Sequence, residues 1–146
     1  MIKIGDSVTF STNAVIDNKR VLSKALDDRV GLFVLIEAVK KLSKKKLNCN
    51  LFVSASVREE MGLRGARIIN TKVNPDFSVA LEGTVSNDLP GIPKHKSLAH
   101  LDNGPEIRIS DKYLIADRGF LIVCIIVKSF TFIKLINFFV NLTKWV

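Results

Sequence analysis

The chain has 146 residues, of which 47% are hydrophobic, and this is enough for one modest domain with a core. Its formal net charge of +8 raises the question of nucleic acid, but no nucleic-acid-binding motif is present, so we expect no such partner. The two cysteines, Cys49 and Cys124, have neither metal nor redox spacing and indicate a reducing compartment. Because the first residues carry no secretory signal, we expect a cytoplasmic protein.

The first elements in chain order are short strands and a helix. Residues 8–10 and the turn-rich segment 11–20 favour short strands. From Arg29 to about Leu42, apolar residues recur at helical period and predict a helix with a broad apolar side. Five lysines crowd the end of this helix, where cations suit its macrodipole: Lys40, Lys41, Lys44, Lys45 and Lys46.

Two later apolar runs predict buried strands. They are Leu51–Val57 and Phe77–Leu81, and a helix from Gly62 to about Thr71 is expected between them. With right-handed crossovers, these elements predict an α/β fold with a parallel βαβαβ core. The long stretch 83–104 has no clear period and predicts a functional or disordered loop, after which 105–109 and 113–116 resume as short strands or a strand and a turn.

Acidic residues stand at the ends of these predicted elements. Glu59 and Glu60 follow the first apolar run, Glu82 follows the second, and Asp27 and Asp28 precede the first helix. Because open α/β sheets place their sites at the carboxyl ends of strands, we expect these acids to converge. Adjacent carboxylates repel each other, and a divalent cation would relieve that repulsion. The alternative is that each acid is a helix cap or a solvated charge, since carboxylates alone do not name a metal.

Three segments carry a family resemblance: Lys24-Ala-Leu-Asp-Asp-Arg-Val-Gly31, Glu59-Glu-Met-Gly-Leu-Arg-Gly-Ala66 and Ala80-Leu-Glu-Gly-Thr-Val-Ser-Asn-Asp-Leu-Pro-Gly91. In order and spacing they are similar to the glutamyl and deblocking aminopeptidases, co-catalytic metallopeptidases that are sometimes labelled endoglucanases. The similarity runs from about Ile4 to about Phe120. It implies peptide substrates, a homo-oligomer and two divalent ions, with zinc or cobalt expected.

The resemblance also implies a role for each acid. Asp27 would bridge the two ions, and Asp28 would orient the turn. Glu60 would bind one ion and Glu82 the other, while Glu59 would be the general base that takes a proton from water. The product would be a released N-terminal amino acid.

Two histidine ligands that the family needs have no counterpart in this sequence. The first would belong to a segment before Met1, and the second to a segment beyond the end of the resemblance. His95 and His100 match neither position, and we expect them to be solvent-exposed loop residues. The resemblance therefore divides the chain into residues 1–20, a remnant of a strand-rich dimerisation domain, and residues 21–119, a partial catalytic domain. Residues 120–146 form a tail unlike the family.

The tail lacks Gly, Pro, Asp and Glu after Phe120 and is rich in aromatic residues. One interpretation is a membrane span over residues 121–139, although Lys128 and Lys134 cost about 5–7 kcal/mol there and nearly cancel the apolar gain. The favoured interpretation is a reading frame that departs from the ancestral one near Phe120. We then expect the tail neither to pack on the core nor to span a bilayer.

Two classes of function stay open at this point. The first is an aminopeptidase fragment that retains the base and three carboxylate ligands and is inactive alone. The second is a protein without catalysis, either a truncated relict or a membrane-tethered binding module.

Overall fold

The computed structural model describes residues 2–11, 13–17, 20–97, 99–101, 103–112, 114–123 and 138–143. Helices and strands are mixed along these residues, which agrees with the predicted α/β class. The strands form a two-stranded hairpin and a three-stranded sheet. In the hairpin, β1 (Val15–Ile16) pairs antiparallel with β2 (Val21–Leu22), within and just after the segment 11–20 that favoured short strands. Residues 8–10, which were also expected to form a strand, do not form one.

The first helix, α1, spans Leu26–Leu42 and confirms the helix predicted from Arg29 to about Leu42. Asp27 and Asp28 have non-helical backbone angles, so the regular part of the helix begins at Arg29. At the other end, the amide of Ser43 donates to the carbonyl of Val39 at 2.8 Å and closes the last turn. The helix packs against Ser78–Gly83, the strand β3, so its start is fixed relative to the sheet.

The second helix and its following strand are also close to prediction. α2 spans Arg64–Val73, and β3 spans Ser78–Gly83. Leu63 before α2 and Asn74 after it have left-handed backbone angles (φ 57° and 48°), which mark both ends of the helix. β3 therefore includes Glu82, which lies inside the strand and not beyond its end.

The strand predicted over Leu51–Val57 is wrong. Within the described residues this segment forms no helix and belongs to no ladder, and it is exposed along its length, with Phe52 66% and Val57 69% accessible. A strand needs a neighbour to bond its amides and carbonyls, and β-branched residues alone do not supply one. The parallel βαβαβ core is therefore not confirmed.

The three-stranded sheet has the order β3–β5–β4. β5 is Phe138–Thr143 and β4 is Glu106–Arg108. β5 runs antiparallel to β3, with Leu81 opposite Val140, and parallel to β4. The expectation that the tail does not pack on the core is thus wrong for residues 138–143, because a short apolar run of high β-propensity finds two strand edges that need a partner.

A helical segment leads into the tail. Residues 118–123 are helical, and no helix of the described residues is long and apolar enough to cross a membrane. The span considered over 121–139 falls mainly on residues 124–137, which lie outside the described residues.

The buried part of the described structure is small. Leu114 and Ala116 are its buried hydrophobic residues, each 5% accessible, next to an isolated bridge between Ser110 and Ile115. Phe77 at the start of β3 stacks on Phe120 with ring centroids 5.2 Å apart. The described residues between 84 and 104 belong to no strand or α-helix, as predicted for the long loop over 83–104, and Lys94–Lys96 form a 3-10 turn within them.

Candidate functional site

The site begins at the bent start of α1, where Asp28 is half-buried. The amide of Gly31 donates to Oδ1 of Asp28 at 3.0 Å. Partial burial raises the pKa of Asp28, the Gly31 hydrogen bond opposes this, and the neighbouring charge of Asp27 raises it further. Gly31 is buried, and a Cβ at this position would overlap the Asp28 carboxylate, so only glycine leaves room for that side chain.

Asp27 reaches from the start of α1 to the end of β3. A Cβ built on Gly83 would lie 3.0 Å from Oδ1 of Asp27. The Asp27 carboxylate therefore lies directly against the last residue of β3. The packing of α1 on β3 is what brings the two segments together.

Glu82 has the most strongly shifted pKa of the predicted site acids. It is half-buried in β3, and its pKa is raised to about 7. Burial is the largest cause, followed by the charges of Asp28, Glu59, Asp27 and Glu60. The Glu82 carboxylate thus interacts electrostatically with all four of the other predicted site acids.

Glu59 and Glu60 lie on an exposed turn between segment 51–57 and α2. The carbonyl of Glu59 accepts from the amides of Gly62 and Leu63 at 3.1 and 2.9 Å. The pKa of Glu59 is raised by slight burial and then by the charges of Glu60, Asp27 and Asp28.

Gly65 closes this turn by allowing a close backbone approach. Its amide donates to the carbonyl of Val57 at 3.1 Å, and a Cβ on it would lie 2.6 Å from that oxygen. Any side chain at position 65 would therefore force the turn open. Gly62, with φ 90°, supplies the left-handed conformation in the middle of the same turn.

The two histidines lie in the long loop and not on the segments that carry the five acids. His95 is exposed within the 3-10 turn, whereas His100 is half-buried, with Nε2 3.1 Å from the carbonyl oxygen of Ser97. The expectation of exposure is correct for His95 and wrong for His100, because the loop folds back on that ring. The pKa of Asp88 is lowered first by a hydrogen bond from the Ser86 hydroxyl and then by the amide of Leu101, which donates to Oδ2 of Asp88 at 3.0 Å. The nearby His100 is the smallest of the causes.

The donor set suits a divalent cation in chemistry. Its donors are carboxylate oxygens, which divalent cations accept as ligands. A Cβ at Gly31 would overlap the Asp28 carboxylate, and one at Gly83 would crowd the Asp27 carboxylate. However, within the described residues no group of three or more His, Cys, Asp or Glu side chains is arranged to hold a metal ion. The electrostatic cluster is therefore assembled more loosely than a closed coordination sphere.

Comparison with known proteins decides the family. The model of the M42 glutamyl aminopeptidases matches residues 1–125. The chain belongs to this family. The match confirms the resemblance seen in the sequence, and because the family is one of metallopeptidases, it implies divalent metal use.

Individual relatives agree with the family. The chain is 36% identical over 89 residues to the glutamyl aminopeptidase of Lactococcus lactis subsp. cremoris (60% of this chain, 25% of that protein). It is 33% identical over 107 residues to the lysyl aminopeptidase of Pyrococcus furiosus (70% of this chain, 29% of that protein). A protein of Acetivibrio thermocellus is 36% identical over 115 residues (79% and 34%).

The chain spans about a quarter to a third of the length of these M42 relatives. No solved structure matches it with significance.

Sequence reasoning named the five acids but missed two of the residues that position them. Gly31 and Gly83 make room for the Asp28 and Asp27 carboxylates, respectively. Each glycine had a signal in the sequence, since Gly31 stands three residues after Asp28 and Gly83 directly after Glu82. Their role depends on how α1 meets β3, which the sequence does not state.

Proposed function

We propose that this chain carries the carboxylate half of a metal-dependent M42 aminopeptidase site, which removes N-terminal amino acids from peptides. The observation that carries the proposal is the position of Glu82, which is half-buried among four other acids. Burial and the charges of those acids raise its pKa to about 7. Five neighbouring carboxylates repel one another, and we propose that a pair of divalent cations supplies the counter-charge.

The proposed ligands are Asp27 between the two positions, Glu60 at one and Glu82 at the other, with Asp28 supporting Asp27. Two divalent ions, zinc or cobalt, would supply an activated water and polarise the scissile carbonyl when bound. Glu59 is the proposed general base. It lies on an exposed turn, where substrate has access, and its raised pKa brings it closer to the working pH of a base than an ordinary glutamate.

We further propose that the 146-residue chain by itself turns over substrate slowly or not at all. Each metal position keeps two protein ligands, Asp27 with Glu60 and Asp27 with Glu82, because neither histidine of the chain matches a ligand position. Losing one ligand or its support commonly costs roughly 10-fold to 100-fold in affinity or activity.

The test is turnover of aminoacyl-anilides by the purified chain with added zinc or cobalt. We expect a rate at or near that of the Glu59→Gln variant, which keeps the size of the side chain but removes the base. Rapid turnover that the Glu59→Gln variant lacks would contradict the proposed inactivity while supporting the proposed base.

The second candidate is a protein without catalysis, either a truncated relict or a membrane-tethered binding module. The observation that favours it is the lack, among the described residues, of a three-donor arrangement for metal. Calorimetric titration separates the two candidates, because a relict with no metal affinity gives no heat with zinc or cobalt.

A further inference from the structure

Five exposed lysines are clustered in sequence at the far end of α1. This cluster, the lysine patch, consists of Lys40, Lys41, Lys44, Lys45 and Lys46. Nζ of Lys40 pairs with Oε1 of Glu37 at 2.7 Å. After Glu37, the sequence has no further acid until Glu59, so the other four lysines have no acidic neighbour along the chain.

The helix dipole explains only part of the patch. Lys40 and Lys41 occupy the last turn of α1, where cations are stabilising. Lys44, Lys45 and Lys46 follow the cap at Ser43, and the dipole effect falls off within the last turn. The helix dipole therefore does not explain why these three lysines are clustered.

An exposed apolar groove adjoins the patch. It has a volume of about 270 Å³ and lies between one side of α1 and the unpaired segment 53–55. Lys40 belongs to both the patch and the groove wall, and Ile36 and Val53 in that wall are each 46% accessible. Lys40 thus borders exposed apolar side chains, and the other four lysines follow it within six positions of the chain.

We propose that the lysine patch and this groove form a surface that binds anionic lipid bilayers. Lysines beside exposed apolar residues match the two layers of such a bilayer, since the charged headgroups attract the ammonium groups and the region beneath them accepts the apolar side chains. Four unneutralised lysines give the attraction its strength, because each adds about 5-fold to partitioning onto an anionic surface. This surface is separate from the carboxylate site at the opposite end of α1.

The composition of the patch favours lipid over nucleic acid or an acidic protein. No arginine occurs between Arg29 and Arg58. Arginine is preferred where phosphates or carboxylates are recognised in a fixed bidentate geometry, whereas lysine acts as a point charge. Point charges next to a shallow groove suit a fluid surface of negative charge better than a partner of defined shape.

The test is co-sedimentation of the full chain with vesicles of phosphatidylcholine containing about 30% phosphatidylserine, against vesicles of phosphatidylcholine alone. The lysine variant is Lys44→Gln/Lys45→Gln/Lys46→Gln. The matched control, Lys72→Gln/Lys94→Gln/Lys96→Gln, removes the same charge from other exposed positions. The apolar tail is present in both variants, so its contribution cancels.

We expect the patch variant to lose roughly 100-fold in partitioning onto anionic vesicles and the control to lose much less. Salt should weaken the binding of the parent chain more than that of the patch variant. The Val53→Ser substitution should weaken binding several-fold and leave its salt dependence unchanged.

Several results would overturn the proposal. One is equal loss in the patch variant and the control, which would assign binding to net charge alone. Others are equal sedimentation with both kinds of vesicle, no effect of Val53→Ser, and competition by duplex DNA that removes the chain from vesicles at comparable charge concentration.

Discussion

Segments 51–57 and 77–83 have similar sequences and different structures. Both are apolar, rich in β-branched and aromatic residues, and followed or ended by glutamates. Only the second forms a strand, β3, because β5 pairs with it along its whole length. The first has no ladder partner among the described residues and is exposed. The comparison teaches that a neighbour with free ladder positions, more than local propensity, decides whether such a run becomes a strand.

The same difference sets the chemistry of the acids. Glu82, inside the paired strand, is half-buried and has its pKa raised to about 7. Glu59 and Glu60, after the unpaired segment, remain exposed on a turn. The strand thus supplies burial, and the turn supplies access for substrate and water.

The largest expected effect comes from placing proline in the strand that pairs with β3 and, for comparison, in segment 51–57. Val140 of β5 lies opposite both Leu81 and Ile107, so Val140→Pro removes an amide from the central strand of the sheet. We expect it to lower the free energy of unfolding by roughly 2–4 kcal/mol. Urea unfolding followed by circular dichroism measures the change.

The matched control for this experiment is Val53→Pro, in the segment without a ladder. We expect a change below about 1 kcal/mol, because no ladder hydrogen bond is lost. If Val53→Pro destabilises the chain as much as Val140→Pro, segment 51–57 is a strand in solution and the comparison fails.

The second prediction concerns metal affinity at the ends of the two segments. Glu82→Ala should weaken zinc or cobalt binding by roughly 10-fold to 100-fold, because it removes a proposed ligand. Glu59→Ala should leave the affinity near that of the parent chain, since Glu59 is proposed to act on water and not to bind the ion. Calorimetric titration of both variants tests the assignment, and equal affinity in all three proteins would reject it.

The third prediction is a pH dependence of stability in the metal-free chain. The pKa of Glu82 is about 7 in the folded chain against 4.5 for an ordinary glutamate, so folding favours its protonated form. Its contribution is fully present below about pH 4.5 and is lost as the pH rises through 7. The pKa values of Asp28 and Glu59 are raised too, which changes stability in the same direction.

We therefore expect the free energy of unfolding to be about 1 kcal/mol lower at pH 8 than at pH 5, after allowing for screening of the half-exposed side chain by water. Glu82→Gln should reduce this difference. Glu37→Gln, which removes an exposed carboxylate from α1, serves as the control. Thermal unfolding at several pH values checks the sign, and a chain that is more stable at pH 8 would contradict it.

The smallest expected effect concerns the clearance at the end of β3. The Gly83→Ala substitution places a Cβ 3.0 Å from Oδ1 of Asp27, so this flexible carboxylate must shift by a few tenths of an ångström. We expect stability to change by less than about 1 kcal/mol and metal affinity to fall a few-fold. Gly119→Ala is the control, since its Cβ would lie at an ordinary 3.4 Å from Asp117.

The sequence alone was sufficient to predict the family and to name the candidate site acids. Three segments in fixed order carry the resemblance, and the family match over residues 1–125 confirms it. The helices α1 and α2 and the strand β3 were also predicted within a few residues, because each has a clear period or propensity and recognisable ends.

What the sequence by itself determined is therefore local: helical period, strand propensity, the turn at Gly62 and Gly65, and the set of carboxylates. The tertiary structure alone decided that β5 pairs with β3 and β4, that segment 51–57 has no ladder, and that Glu82 is half-buried beside four other acids. The physical reason is that pairing and desolvation depend on residues distant in the chain. Leu81 and Val140 are separated by the long loop, β4 and the first part of the tail, and no local pattern records that they meet.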